Sequence, residues 1–209
     1  MKTVLWGVLI ILIFILGCED TSNIVDPIDT SVSVNYNKIT IYDYELIPLP
    51  PKSALWSDSI FTISEVIDGD VGGRMIMEKY YIASNGDSIT IFADLRIPAG
   101  AFTGTETISI TVDDEYAAIQ FLPSMVFAKK LRLFQSFRGL DLSNYSNATL
   151  DFVFIDDEGN VELIKKNGIQ VNLPQGFVRV QNAKILHFSR YGWIRKPSDR
   201  ITRPTLEIY

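Results

Sequence analysis

The chain has 209 residues, and its 25 acidic and 19 basic side chains give a formal net charge of −6 at pH 7. A chain this acidic has no electrostatic reason to bind nucleic acid or an anionic bilayer surface. Its single cysteine excludes an internal disulfide bond, and its single histidine, His187, excludes metal clusters and catalytic triads built on any other histidine.

The first eighteen residues have the pattern of a secretory signal. Lys2 gives a positive start, residues 4–16 form an apolar run, and Gly17 precedes Cys18. The run is too short to span a bilayer as a helix. The pattern resembles the signal peptide of bacterial lipoproteins, which implies removal of residues 1–17 and attachment of a diacylglycerol and a further acyl chain, such as palmitate, at Cys18. The resemblance implies a lipid-anchored protein of the bacterial cell envelope, on the inner or outer membrane, facing the periplasm or the surface.

The remainder of the chain divides into four predicted segments. Residues 18–35 are polar and predict a flexible, lipidated tether. Residues 36–66 predict either extra strands or an N-terminal extension, and the prolines within residues 48–51 place that stretch at an edge or in a loop. We expect the main domain over residues 67–195 and a C-terminal tail over residues 196–209.

Short stretches of alternating apolar and β-branched residues follow one another from residue 39 onward, and none has a sustained helical period. Asp-, Asn- and Gly-rich turn signals separate them at residues 68–70, 85–87 and 113–115, and residues 152–165 predict a hairpin with its loop at 156–160. This spacing predicts an all-β fold, an antiparallel β-sandwich. The predicted strands are 39–42, 60–63, 89–92, 108–112, 130–134, 150–154, 177–180 and 184–188.

Three acidic clusters would supply oxygen ligands for calcium, namely Asp68/Asp70, Asp113/Asp114/Glu115 and Asp156/Asp157/Glu158. None has the spacing of a dedicated calcium loop, and each lies where a turn is expected. Asp and Gly favour turns for backbone reasons alone. The sequence therefore predicts turns here, and no metal site or cofactor.

Eight aromatic residues would line a glycan groove if they were exposed, because aromatic faces stack on sugar rings. Strand alternation instead favours cross-strand packing for most of them. The eight are Tyr36, Tyr42, Tyr44, Trp56, Tyr80, Tyr81, Tyr191 and Trp193.

Several short motifs are similar to those of the ZU-five domain, the β-sandwich module of ankyrins, zona occludens proteins and netrin receptors. Residues 96–102 resemble its start, after Gly72-Gly73; residues 121–133 resemble its next strand pair, and residues 187–191 its closing strand. The resemblance covers residues 67–191. It implies a domain that binds proteins and needs no cofactor.

In several members of that family, His-Phe-Ser is a site of self-cleavage. The resemblance implies that Ser189 would be the nucleophile, Phe188 would supply the carbonyl that is attacked, and His187 would be the base. The alternative is that the three are consecutive residues of a final strand, with side chains alternating between its faces.

These observations predict a membrane-anchored lipoprotein that acts as a non-enzymatic protein-interaction or structural module, with an unidentified cell-envelope protein as its partner. The first alternative is a module that cleaves itself between Phe188 and Ser189, which is the one enzymatic activity considered. The second is a carbohydrate-binding accessory lipoprotein with a glycan ligand. No nucleic-acid partner is expected.

Overall fold

The computed structural model describes residues 40–41, 43–54 and 61–197, and all their regular elements are β-strands except a 3-10 helix, Leu173–Gln175. Cys18, the predicted signal and tether, and residues 198–209 lie outside the described residues. Within the described part there is no helix long and apolar enough to cross a bilayer. The strands are β1 (Thr40–Ile41), β2 (Glu45–Leu46), β3 (Thr62–Asp68), β4 (Gly73–Ile82), β5 (Ser88–Ile97), β6 (Thr105–Val112), β7 (Ala118–Leu122), β8 (Val126–Arg138), β9 (Leu150–Ile155), β10 (Val161–Leu163), β11 (Gly168–Asn172), β12 (Phe177–His187) and β13 (Arg190–Arg195).

The described strands form two antiparallel sheets that pack on each other, which confirms the predicted β-sandwich. The larger sheet has eight strands in the order β1-β10-β9-β13-β7-β6-β3, and β2 pairs with the end of β13. The smaller sheet has five strands in the order β11-β12-β8-β5-β4. Strands that are neighbours in these sheets are often distant in the sequence, so the register between them brings together residues that no local pattern connects.

The core lies between the two sheets and is rich in aromatic rings. Trp193 on β13 is fully buried, and its Nε1 donates a hydrogen bond of 2.8 Å to Oε1 of Gln135 on β8 in the opposite sheet. An indole N–H that is buried without an acceptor would destabilise the fold. Gln135 therefore provides the acceptor that lets a tryptophan occupy the interface between the sheets.

A buried charge fixes the end of the described chain. Asp151 on β9 is 7% exposed, and its carboxylate contacts Nζ of Lys166 at 2.7 Å and Nζ of Lys196 at 3.0 Å. Burial alone would raise the pKa of Asp151, but the two lysines outweigh it and lower that pKa. Lys196, the first residue of the predicted tail, is thus held against the sandwich.

The segment before the predicted main domain contributes to the same sandwich. The predicted boundary between residues 66 and 67 falls inside β3, while β2 pairs with β13 in the larger sheet. The proline-containing stretch, residues 48–51, forms no strand and only one bridge, from Pro48 to Tyr116. Within the described part of residues 36–66, β1, β2 and the first five residues of β3 thus belong to the larger sheet.

The hairpin predicted over residues 152–165 is present as β9 and β10, with residues 156–160 as its loop. The strands predicted at 177–180 and 184–188 are one strand, β12. Its register against β8 shifts at Asn182, which has a φ of 53°. The polar Gln181-Asn182 pair marks a β-bulge rather than a break, because a bulge accommodates an extra residue while the ladder continues.

Candidate functional site

The His-Phe-Ser motif lies where the chain passes from one sheet to the other. β12 of the smaller sheet ends at His187, and β13 of the larger sheet begins at Arg190. The prediction of one closing strand over residues 187–191 is therefore wrong, and so is the alternative that the three motif residues share a final strand. The physical reason is the position of Phe188, which leaves the ladder to enter the core between the sheets.

Phe188 holds this crossover in place. It is 1% exposed, stacks on Phe121 with ring centroids 5.2 Å apart, and meets Phe127 edge-on at 4.7 Å. Its backbone N–H donates to the carbonyl of Met125 at 2.8 Å. Aromatic pairs of this geometry contribute about 0.5–1.5 kcal/mol each beyond the area they bury. The peptide bond after Phe188 is thus attached to a rigid anchor.

The other two motif residues do not form a base–nucleophile pair. The His187 ring packs edge-on against Phe154 at 4.5 Å, and its half-buried position lowers its pKa despite the opposing effect of Glu162. The Ser189 hydroxyl donates to the carbonyl of Ile155 at 3.3 Å. Within the described residues no hydrogen bond joins the imidazole to this hydroxyl. The fold brings the three residues together without aligning them for proton transfer.

Three of the eight aromatic residues considered for a glycan groove belong to the core. Tyr81, Tyr191 and Trp193 are each at most 1% exposed, and the hydroxyl of Tyr81 donates to a backbone carbonyl, that of Pro50, at 2.6 Å. Tyr80 is 60% exposed. Tyr36, Tyr42 and Trp56 lie outside the described residues, and Tyr44 is half-buried with its hydroxyl bonded to the Gly159 carbonyl. Burial thus removes Tyr81, Tyr191 and Trp193 from the surface that the alternative of a glycan groove would require.

The acidic clusters make turns, as predicted. Asp68 Oδ1 accepts from the N–H of Asp70 at 2.9 Å, and Asp156 Oδ1 accepts from the N–H of Asn160 at 2.6 Å. Asp113 Oδ1 caps its turn in the same way, and Asp113 Oδ2 forms a salt bridge of 2.6 Å with Arg190 Nη2. Among the described residues no three His, Cys, Asp or Glu side chains converge as a metal site requires.

A depression in the described surface has a volume of about 1040 Å³. Its walls are the proline-containing stretch 48–51, the turn at 84–88 and the loops at 139–143 and 173–176. The carboxylate of Asp141 in one of these loops accepts two hydrogen bonds from Ser143 and so stabilises the loop. The lining is mostly turns and apolar side chains, and it offers no paired acid and base.

β4 is an edge strand of the five-stranded sheet. β4 is ten residues long, and within the described part of the chain β5 is its only ladder partner. Ile76 and Tyr80 on this strand are 46% and 60% exposed. Val66 on β3 is 70% exposed, and Val71 in the β3–β4 turn is 73% exposed. Four of the seven large hydrophobic residues that are exposed in the described part therefore lie on β3, β4 and their turn.

A row of four basic residues crosses the outer face of the same sheet. Register places Arg74 opposite Arg96, Arg96 opposite Arg132, and Arg132 opposite Lys184, on β4, β5, β8 and β12 respectively. We call these four residues the basic row. Since directly opposed side chains have Cβ atoms about 5 Å apart, the row concentrates positive charge on a chain whose net charge is negative.

Asp94 lies beside one end of the basic row and neutralises part of it. It is 4% exposed and accepts hydrogen bonds from both guanidinium groups, from Arg74 Nε at 2.8 Å and from Arg96 Nη2 at 3.0 Å. Burial would raise its pKa, but the two arginines outweigh burial and lower that pKa. Arg96 also stacks on Phe134, with its Cζ 5.2 Å from the ring centroid.

The other end of the basic row has no such compensation. Arg132 and Lys184 form no ion pair within the described residues, and the Lys184 ammonium donates to the amide oxygen of Asn182 at 3.0 Å. Partial burial lowers the pKa of Lys184, and the positive charges of Arg132 and Lys130 lower it further. Beside the row is a shallow groove of about 270 Å³ with Phe92, Ser136 and Gln181 in its walls.

The basic row is the feature that the sequence interpretation missed. Alternation along β8 indicates that Arg132 faces away from the core, since Leu131 and Leu133 are buried. Nothing local indicates that it would align with Arg74, which lies on a strand far away in the sequence. The missing information is the strand order.

Comparison with known proteins adds no assignment. No protein-family model matches the sequence, and neither a curated protein nor a solved structure matches it significantly. The resemblances to bacterial lipoproteins and to the ZU-five domain therefore stay predictions.

Proposed function

We propose that the chain is a bacterial lipoprotein, anchored to an envelope membrane by acyl chains on Cys18, whose ZU-five-like sandwich binds a cell-envelope protein without catalysis. The observation that carries the interaction role is the open β4 edge. The observation that favours the anchor is the signal pattern of residues 1–17 directly before the only cysteine.

The β4 edge has the properties of a surface for strand addition. Within the described residues the backbone groups along its outer side have no ladder partner, and only at the last residue does the Ile82 carbonyl accept a hydrogen bond from the N–H of Ser53, at 2.9 Å. Such an edge is a template for pairing with an extended segment of another chain. Ile76 and Tyr80 stand beside those groups and would bury apolar surface against the partner. The proposed partner segment is therefore an extended strand with apolar side chains.

Site-specific photocrosslinking in the native envelope tests the interaction. A photoreactive amino acid at position 80 should give a protein adduct of discrete mass, and Ile76→Lys should abolish it, because a charge on an edge strand opposes pairing. The matched control places the same probe at position 163 on β10, where Leu163 is 36% exposed. Equal adducts at positions 80 and 163, or adducts that persist in Ile76→Lys, would contradict edge pairing.

Lipid attachment is tested separately. Metabolic labelling with an alkynyl palmitate should mark the wild-type chain, and Cys18→Ser should lose the label and leave the membrane fraction. A Cys18→Ser variant that keeps both its label and its membrane association would refute the anchor without bearing on the edge.

Self-cleavage between Phe188 and Ser189 is the second candidate activity. One observation favours it: burial lowers the pKa of His187, so its imidazole is neutral at neutral pH, as a general base must be. For the reaction to start, the Ser189 hydroxyl must turn away from the Ile155 carbonyl toward the bond that it would attack. This rearrangement is the step that separates the second candidate from the first.

A further inference from the structure

We propose that the β4 edge pairs antiparallel with the β4 edge of a second copy of this chain, which joins two five-stranded sheets into one continuous sheet. The inference rests on the proposed function, because it takes the β4 edge as the interaction site, and it adds the identity of the partner. The two copies are related by a twofold axis that passes beside Ile76 and is perpendicular to the sheet.

The first argument is the direction of the backbone groups along the edge. The Ile82 carbonyl accepts a hydrogen bond of 2.9 Å from the N–H of Ser53, a residue outside the five-stranded sheet. The backbone groups of Ile82 thus lie on the outer side of β4, and this direction alternates from residue to residue along an antiparallel strand. The positions that point their N–H and C=O groups outward are therefore also the ones with exposed side chains: Arg74, Ile76, Glu78 and Tyr80.

The second argument is the order of charges along β4. A register centred on Ile76 places Arg74 opposite Glu78 of the second copy, and the twofold axis repeats this pair at the other end. Opposite charges in this position stabilise a sheet, and the two Ile76 side chains between them bury apolar surface. Centring the register on Met77 would place Ile76 opposite Glu78, and centring it on Glu78 would oppose two carboxylates. The charges thus select one register.

The third argument is that both charged groups can accept a further partner. Within the described residues the exposed carboxylate of Glu78 has neither an ion pair nor a hydrogen bond. Arg74 donates to Asp94 from Nε and Nη2. A guanidinium group has five N–H donors, so those on Nη1 remain for a second acceptor, and the Arg74 side chain is 52% exposed. Asp94 therefore holds Arg74 in place and leaves it a donor for Glu78 of the second copy.

The proposed anchor favours this pairing. Copies held on one leaflet by acyl chains on Cys18 would share a thin layer, which raises their effective concentration. A single pair of short strands is marginally stable in water. Confinement to the leaflet therefore allows a contact to form that dilute chains would not maintain.

Cysteine crosslinking in the native envelope tests the pairing and its register. In a hydrogen-bonded antiparallel pair the Cα atoms lie about 5.5 Å apart, so Ile76→Cys treated with a short bis-methanethiosulfonate reagent should give a species of twice the mass of the chain. Glu78→Cys should not, because this register separates the two substituted positions by about 14 Å. Leu163→Cys on β10 is the control for random collision, and the wild type is the control for Cys18. Neither should give the dimer.

A charge reversal in the Ile76→Cys background tests the charge pairs. Glu78→Arg should lower the crosslinked fraction about tenfold, because it opposes two guanidinium groups at both ends of the paired segment. Glu158→Arg is the matched control. It makes the same change of charge at an exposed position of the β9–β10 loop, which lies toward the other edge of the larger sheet from β3, and it should leave the crosslinked fraction unchanged. Near-ultraviolet circular dichroism confirms that each purified variant is folded.

The outcomes separate this inference from the proposed function. Equal dimer formation by Glu78→Cys or Leu163→Cys, or a dimer that survives Glu78→Arg, would overturn the pairing of two copies in this register. Absence of a dimer in Ile76→Cys would overturn it as well. If photocrosslinking at position 80 then captured a different protein, the proposed function would stand without the second copy, and if it captured nothing, both would fail.

Discussion

Replacing Asp94 by asparagine should lower the stability of the fold. The carboxylate is buried between Arg74 and Arg96 and accepts four hydrogen bonds from them, at 2.8 to 3.2 Å. Asparagine has one acceptor oxygen, and its amide group would face guanidinium N–H groups that need acceptors. The substitution also removes the negative charge that compensates one end of the basic row.

The size of the stability loss follows from the exposure of the partners. Hydrogen bonds to charged groups contribute about 1.5–3 kcal/mol each when both partners are fixed. The side chains of Arg74 and Arg96 are 52% and 51% exposed, so they can turn toward water once the carboxylate is gone. We therefore expect Asp94→Asn to lower the free energy of unfolding by about 2 kcal/mol, which is less than the sum of the separate hydrogen bonds.

Glu78→Gln is the matched control for the loss of one negative charge, because Glu78 is an exposed acid on the same face of β4. It should cause almost no change in the free energy of unfolding.

Urea unfolding of the full-length protein measures this loss of stability. With a slope of about 2 kcal/mol per molar urea, Asp94→Asn should lower the unfolding midpoint by about 1 M. An unchanged midpoint would refute the structural role of the Asp94 cluster.

Three further predictions concern the crossover, the buried charge and a turn. Ser189→Ala should leave the intact mass of the purified protein as one chain, whereas two fragments from the wild type that disappear in this variant would establish self-cleavage. Asp151→Asn should cost about 3 kcal/mol at pH 7, because it leaves two lysines without their buried acceptor. Since the folded pKa of Asp151 lies below its unfolded value of about 3.9, its contribution is present above that pH and is lost as pH falls through the folded pKa, so the wild-type and variant stability curves should converge in acid. Gly176→Ala should cost about 2 kcal/mol or more, since φ is 57° and the new Cβ would lie 2.1 Å from a carbonyl oxygen, whereas Gly86→Ala, with φ 88° and no atom within 4 Å, should cost only about 1 kcal/mol in a thermal melt.

The sandwich was predictable because its strands can be recognised from short, local sequence patterns. Buried positions alternate with more exposed ones along β5, except at the buried Asp94, and along β6 from Thr107 onward, and Asp- and Gly-rich turns stand between the strands. The hairpin of β9 and β10 was predictable for the same reason, since its loop residues bond to one another through Asp156. Each of these features depends on residues that are near neighbours in the sequence.

The crossover was not predictable from such a pattern. His187, Phe188 and Ser189 have the composition of a strand, and β12 before them and β13 after them are strands. The chain leaves one sheet there because Phe121 and Phe127, from distant parts of the sequence, form the pocket into which Phe188 fits. Tertiary packing thus overrides a local strand pattern.

The basic row also shows that the net charge of a chain does not determine the charge of one of its surfaces. A net charge of −6 argues against anionic ligands only if the ligand senses the whole chain. At physiological ionic strength exposed charges are screened beyond about 8 Å, and two packed sheets are about 10 Å apart. A ligand on the outer face of the five-stranded sheet therefore senses Arg132, Lys184 and their neighbours, while acidic residues on the opposite sheet are largely screened. The sign of the local potential depends on strand register, and register is the one quantity that composition does not contain.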